Sequence, residues 1–301
     1  MNPHVGPVSG AAPDRPLQRI EEIRKESEGA EMRIRIGCCG FPLRQEEYYK
    51  LFPIVETQST FYKLPSAVSA ERWRQQAPRG FEFSVKAWQG ITHQGDSPTY
   101  RRYGHLEKPE NYGYFKPTDE VRRAWSQTDN ICRSLGARWV LFQCPGSFGP
   151  TDENIANLLA FFKGFVRSKY RFAWEPRGEG WTDAILSELC RKADLVHCVD
   201  PFAREPVTKG VAYFRLHGCP PGENPPPAEA GGVSRSSPLS IPPLAEARGH
   251  PANFVKMYSY EYTKKDLEFL RDKCAGFREV RCLFNNTSMH KNALEFMAIM
   301  S

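Results

Sequence analysis

The fold this sequence predicts is a TIM-type (β/α)8 barrel: eight parallel strands, each followed by a helix or a loop. Two observations carry that reading. Eight short apolar runs with strand character alternate with segments whose apolar residues recur at helical spacing. The runs also end, again and again, in a polar residue followed by Gly, Pro or a loop, as in Phe172-Ala173-Trp174-Glu175 and Leu141-Phe142-Gln143. Parallel barrels build their sites from such strand ends. A chain of 301 residues, 40% hydrophobic and 25% charged, suits one such domain with insertions. A doubly wound open sheet is the alternative arrangement of the same units.

Residues 1–31 are rich in Pro, Gly, Ala and charge, and read as a disordered tail with one short helical pattern at Leu17–Glu28. The barrel domain then runs over residues 32–301. Its strands are expected at Arg33–Cys38, Ile54–Thr57, Phe81–Lys86, Trp139–Gln143, Arg171–Glu175, Leu195–Val199, Ala212–His217 and Arg281–Asn285. Helical spacing marks Arg44–Leu51, Ala67–Gln76, Glu120–Leu135, Glu153–Val166, Asp183–Lys192, Lys264–Cys274 and His290–Ile299. Thr118-Asp119, Thr151-Asp152 and Thr182 supply N-caps. Pro201–Gly210 is too short for a helix, so the sixth repeat is degenerate.

Long insertions follow the third and seventh strands. Gln94–Pro117 interleaves Arg101, Arg102, Lys108 and Lys116 with Tyr100, Tyr103, Tyr112, Tyr114 and Phe115. Such a loop either holds a phosphate backbone and stacks on bases, or is pinned to the barrel by its own aromatics. Cys219–Ala252 is dominated by Pro, Gly, Ser and Ala and reads as a disordered insertion. Deleting either it or the tail should leave the thermal midpoint nearly unchanged.

The net charge of +6 permits an anionic partner without requiring one. Nine cysteines include no Cys-x-x-Cys pair, which argues against a zinc finger or a secreted disulfide framework. No run is apolar and long enough to span a membrane, and no signal or presequence pattern opens the chain, so a cytoplasmic location is expected. A Gly-rich phosphate loop, a Ser elbow and a Cys–His nucleophile signature are all missing, which leaves nicotinamide and flavin without support.

Several ordered strings resemble the domain-of-unknown-function-72 (YecE-like) family. They include Ile36-Gly37-Cys38-Cys39-Gly40-Phe41, Val55-Glu56-Thr57-Gln58-Ser59-Thr60-Phe61-Tyr62, Trp174-Glu175-Pro176-Arg177, Tyr213-Phe214-Arg215-Leu216-His217-Gly218, Tyr258-Ser259-Tyr260 and Phe284-Asn285-Asn286. The resemblance runs from about Arg33 to the C-terminus. It implies a TIM-type barrel and little about a reaction. One departure is Gln58, where the family usually carries the shorter Asn.

In a strand, alternate side chains share a face. With the strand ends and the segments just beyond them, the residues expected at the C-terminal mouth are Glu56, Lys86, His93, Gln143, Glu175, Arg177, Asp200, Arg215, His217, Tyr260 and Asn285. Lys86, Arg177 and Arg215 would form an anion clamp, joined in ligand binding by His93, Gln143, Tyr260 and Asn285. Glu175 and Glu56 would serve as general base and acid and His217 as proton shuttle, with Asp200 completing the catalytic set. No cofactor is expected. A divalent metal held by Glu56, Glu175, Asp200 and His217 is the less favoured option, because the cations would repel it. The expected partner is a small anionic or phosphate-bearing ligand, with single-stranded nucleic acid as the alternative. The protein is thus expected to be an enzyme, a hydrolase of phosphate esters or nucleic acid, with a non-catalytic nucleic-acid-binding barrel as the alternative and, third, a two-carboxylate glycoside hydrolase.

Overall fold

A computed structural model describes residues 32–164, 169–218 and 258–301. The tail, the helical pattern at 17–28, Val166 and the insertion at 219–252 therefore lie outside the described residues.

Eight strands close into one parallel barrel in chain order. They are β1 (Arg33–Cys39), β2 (Ile54–Thr57), β3 (Glu82–Lys86), β4 (Trp139–Gln143), β5 (Arg171–Glu175), β6 (Leu195–Val199), β7 (Val211–Leu216) and β8 (Glu279–Phe284). Closure comes from β8 pairing with β1 from Arg33↔Glu279 to Cys38↔Phe284. The helices are α1 (Gln45–Leu51), α2 (Ser59–Tyr62), α3 (Ala67–Gln76), α4 (Asp119–Leu135), α5 (Asp152–Lys163), α6 (Asp183–Ala193), α7 (Lys264–Cys274) and α8 (Met289–Met300). Thr118, Thr151, Thr182 and Thr263 each accept a backbone N–H at the start of α4, α5, α6 and α7. Each satisfies a donor the first helical turn would leave orphaned. No helix follows β6, as its short connection predicts.

Strand alternation sorts the barrel into a sheath and an interior. Outward residues such as Phe83, Phe142, Phe172 and Phe284 pack under the helices. Inward residues Ile54, Trp139, Leu141, Ala173, Cys198, Tyr213 and Leu283 fill the centre. Gly37 on β1 is required there: a Cβ would sit 2.2 Å from the Ile54 carbonyl oxygen. Below this layer, at the strand N-termini, lies an ionic plug. Arg281 holds Glu82 through two bonds of 2.5 and 3.1 Å, and Trp139 lies under both Arg171 and Arg281, with ring-to-guanidinium distances of 4.8 and 5.5 Å.

The connection after β3 packs as its second reading described. Phe115 is buried against Phe142, Phe148, Phe161 and Phe162. Tyr100 is buried with its hydroxyl donating to the His93 carbonyl, and Tyr112 packs on Trp88. Tyr103 alone of these aromatics is exposed. Tyr100 and Phe115 thus pin the loop to the barrel, while Tyr112 and Tyr114 are half-buried. The backbone bends to achieve this: Gly113, Tyr114 and Phe115 all have positive φ, at 82°, 54° and 53°. A left-handed non-glycine residue costs about 1–2 kcal/mol, which burial of a Phe side chain, worth about 1.5–3 kcal/mol, offsets.

Candidate functional site

At the C-terminal ends of the strands, the inward positions that follow the apolar layer are all polar. β2 contributes Glu56, β3 Lys86, β4 Gln143, β5 Glu175, β7 Arg215, and the residues just past β6, β7 and β8 add Asp200, His217 and Asn285. All are buried, with relative exposures from 0% at Glu56, Lys86, Arg215 and Asn285 to 6% at Gln143 and Asp200.

Arg215 is the hub. One terminal nitrogen donates to Glu56 Oε1 and Gln58 Oε1, both at 3.0 Å. The other donates to Glu175 Oε2 at 2.7 Å and Gln143 Oε1 at 3.3 Å, and lies 3.2 Å from His217 Nε2. The fork that the sequence assigns to an anion is thus committed to two carboxylates and two amides. Its Nε is buried with no hydrogen-bond partner among the described residues. Burial opposes the Arg215 charge, but Glu56 and Glu175 outweigh it and hold the pKa well above its usual value.

Around the hub, Glu56 accepts from the Tyr213 hydroxyl at 2.9 Å, and Tyr213 in turn meets Ser84 at 2.6 Å. Glu175 accepts from Arg177 Nε at 2.6 Å. Burial pushes the Glu175 carboxyl up, but Arg177, then Arg215, His217 and Lys86, overcome that and hold it well below the usual carboxylate range. It is an ionised group, suited to accepting a proton only when a cation is drawn off it, and unsuited to the acid role.

His217 Nε2 receives Arg177 Nη2 at 2.8 Å as well as Arg215. Guanidinium nitrogens only donate, so Nε2 carries the lone pair and the proton sits on Nδ1, which faces Asp200 Oδ2 at 3.5 Å. Asp200 also accepts the backbone N–H groups of His217 and Phe202, which fixes it beneath the ring. His217 thus presents Nε2 to the two guanidiniums and Nδ1 to Asp200.

Lys86 places its ammonium 4.1 Å above the centroid of Phe61, from the short α2. Asn285 accepts from Gln58 Nε2 at 3.2 Å, while its own Nδ2 is buried with no partner among the described residues. Two expected site residues stand apart from this cluster. Tyr260 donates at 2.7 Å to Asp266, the residue that closes the capping box of α7, and its carbonyl accepts from Asn286. His93 packs edge-on to Phe61, at 4.9 Å between centroids, and bonds Thr92 through Nδ1 at 2.9 Å.

Sequence reasoning left out Gln58, Tyr213 and Ser84. Tyr213 was readable, because it shares the face of Arg215 and His217 on β7, and so was Gln58, which lies one residue past β2 in phase with Ile54 and Glu56. Among the described residues, no three His, Cys, Asp or Glu side chains group as a metal-ligand set. Arg215 bridges Glu56 and Glu175 instead of leaving them convergent. The eight described cysteines are free and buried, and no described helix is long and apolar enough to cross a membrane.

The family described as "Protein of unknown function DUF72" matches residues 42–301, and the chain belongs to it. A curated relative, the UPF0759 protein YunF of Bacillus subtilis (strain 168), is 36% identical over 115 residues, which span 38% of this chain and 36% of the relative. Among solved structures, a DUF72 family protein of Enterococcus faecalis V583 aligns over 90% of this chain and 98% of its own, with a TM-score of 0.62 and 20% identity. A DUF72 family protein of Thermotoga maritima MSB8 aligns over 89% and 99%, with a TM-score of 0.58 and 20% identity. At these identities the structural likeness establishes the shared barrel.

Proposed function

We propose that the C-terminal mouth binds a small, oxygen-rich ligand bearing a single anionic group, a phosphate monoester or a carboxylate. The observation that carries this reading is the distribution of unsatisfied groups. Five buried side-chain atoms have no hydrogen-bond partner among the described residues: Trp88 Nε1, Gln89 Oε1, Arg215 Nε, Asn285 Nδ2 and Asn286 Oδ1. All five belong to the C-terminal ends of strands or to the segments just beyond them. Folded proteins leave few such groups, because each costs about 1–3 kcal/mol. Two of them, Arg215 Nε and Asn285 Nδ2, are donors within the charged cluster, and donors call for a ligand acceptor oxygen.

Charge arithmetic sets the ligand class. Glu56, Glu175 and Asp200 stand against the buried Lys86 and Arg215 and the half-buried Arg177. A balanced cluster accommodates one added charge far better than the series of phosphates on a nucleic acid. The buried Tyr100 and Phe115 of the loop after β3 argue the same way against nucleic acid at the mouth. For chemistry, Glu175 and His217 are both proton acceptors held by Arg177. An anion that engages Arg177 would weaken its hold on Glu175 and raise the basicity of that carboxylate.

Calorimetric titration of inorganic phosphate, glycerol 1-phosphate, acetate and a neutral hexose tests the binding. The anions should bind and the hexose should not. Asn285→Asp keeps the acceptor for Gln58 and replaces the orphaned donor by a carboxylate oxygen; it should weaken anion binding by roughly 1.5–3 kcal/mol, the scale of a hydrogen bond to a charged group. Asn285→Ala should weaken it too. Equal affinity in wild type and both variants would refute the site, as would preference for the hexose.

A further inference from the structure

The opposite end of the barrel, around the closed ionic plug, carries a charged surface that the chemistry of the mouth does not use. Outside the helices, exposed cations stand at or just before six of the eight strand starts: Arg33, Arg79, Arg138, Arg171, Lys209 and Arg278, with Lys169 beside Arg171. The acids at this end do not cancel them. Glu82 is buried under Arg281, and Glu279 is shared by Arg33, Arg171 and Arg281. Arg79, Arg138, Lys169, Lys209 and Arg278 have no ion pair among the described residues. Bases in the last turns of helices on this face, such as Lys50, Lys163 and Lys192, answer the carbonyl ends of the helix dipoles. Strand starts present no such dipole, so their cations have no account of that kind.

Backbone pairing gathers these cations into two arcs. On one side the Arg33 N–H donates to the Arg278 carbonyl at 2.9 Å, and the Arg278 N–H to Gly210, the neighbour of Lys209, at 3.0 Å. On the other, the Arg138 N–H donates to Phe83 at 3.2 Å and the Arg171 N–H to Arg138 at 2.8 Å. Between the arcs lie the starts of β2 and β6, preceded by Pro53 and Asp194. In a ring of eight strands in chain order, β7, β8 and β1 stand across from β3, β4 and β5. Strands about 4.8 Å apart and tilted by about 36° make that ring roughly 15 Å across.

We infer that this face docks on a nucleic-acid duplex, one arc on each of the two phosphate strands that border a groove. The separation of the arcs is on the scale of a DNA major groove, about 12 Å wide. Arginine dominates the arcs, and its planar fork matches phosphate oxygens. Single strands are held largely by stacking on aromatic rings, and the aromatics between these cations, Trp139 and Tyr170, are buried. Phosphate contacts carry no sequence information, so the docking is independent of base sequence. The face lies apart from the mouth, and the inference stands without the anion site there.

The test is fluorescence anisotropy of a labelled DNA duplex two helical turns long, titrated with the full chain across a salt series. Each phosphate neutralised adds about 0.9 to the slope of log affinity against log salt. Arg138→Gln/Arg278→Gln removes one unpaired cation from each arc. It should flatten that slope by about 1.8 and weaken binding at least about tenfold near 0.1 M salt. Arg138→Lys/Arg278→Lys keeps the charges and should keep most of the slope. Lys63→Gln/Arg101→Gln makes the same change in net charge at exposed positions of the mouth end, and should alter neither quantity. Circular dichroism checks the fold of each variant. An RNA duplex serves as a second probe, and binding to either helix with the flattened slope upholds the inference. Absence of salt-dependent binding, equal losses in the two Gln doubles, or a single strand bound more tightly than the duplex overturns it. So does binding to vesicles of phosphatidylcholine and phosphatidylserine with none to the duplex, which would make the face a membrane contact.

Discussion

Replacing Arg215 by Met gives a direct measure of what its guanidinium does. The side chain is completely buried and links Glu56, Gln58, Gln143 and Glu175 at 2.7–3.3 Å. Met fills similar volume without charge, so the loss is chiefly electrostatic. Glu175 retains Arg177 at 2.6 Å, whereas Glu56 keeps the neutral Tyr213 hydroxyl at 2.9 Å. The penalty therefore concentrates on Glu56 as a buried, uncompensated carboxylate. Breaking such a pair costs about 3–5 kcal/mol. For a domain of this size that lowers the thermal midpoint by roughly 6–20 °C. The double variant Glu56→Gln/Arg215→Met removes the stranded charge and should recover a substantial part of the loss. Urea and thermal unfolding of the two single variants, the double variant and wild type close the cycle. A midpoint for Arg215→Met within a degree or two of wild type, or a double variant whose losses simply add, would show that Arg215 is not the strut of the mouth.

Two further outcomes follow from the fold. His197 on β6 is buried and accepts the Val207 N–H at Nδ1, 3.2 Å away; burial first, and Arg204 second, lower its pKa to about 4. Its folded value lies below the unfolded one of about 6.5. The stabilising contribution is therefore complete above pH 6.5 and is lost as pH falls toward 4, on the order of 3 kcal/mol in all. Urea unfolding across that window should show a shallower pH dependence for His197→Asn than for wild type, and identical slopes would refute the assignment. Gly113→Ala places a Cβ 2.3 Å from the His93 carbonyl carbon at a φ of 82°. It should destabilise by more than about 2 kcal/mol and loosen the loop after β3, read as faster proteolysis there; a stability equal to wild type would refute the need for glycine.

The barrel was legible because each strand is short, apolar and ended by a polar residue, and because period-two alternation is a hard geometric rule. Four strands match their sequence-derived bounds, and the others shift by one or two residues at an end. The same rule brought Glu56, Lys86, Gln143, Glu175 and Arg215 to one layer. It failed where the chain leaves the strand. Tyr260 and His93 lie in connections, where no alternation fixes direction, and they turned to Asp266 and Thr92. The four-residue α2 is too short to show a helical period, yet it carries the Phe61 ring under Lys86. Nor does a strand pattern reveal which charges pair: that Arg215 faces two carboxylates at once depends on the barrel closing β7 across from β2 and β5.

The two ends of the barrel explain why the mouth, and not the charged cluster itself, points to a ligand. The N-terminal plug is as ionic as the mouth, with Arg35, Arg171 and Arg281 around Glu82 and Glu279. Its contacts close on themselves: both oxygens of Glu82 are held by Arg281, both oxygens of Glu279 are paired, and the guanidinium faces lie on Trp139. No orphaned buried side-chain atom belongs to it among the described residues. A buried ion network can thus be satisfied in this barrel by its own residues. At the mouth, the same kinds of residue leave the donors Arg215 Nε and Asn285 Nδ2 and the acceptor Asn286 Oδ1 unmatched among the described residues. That difference between two ends of one scaffold is what the proposed anion site rests on: an internal strut alone would leave the mouth as fully paired as the plug.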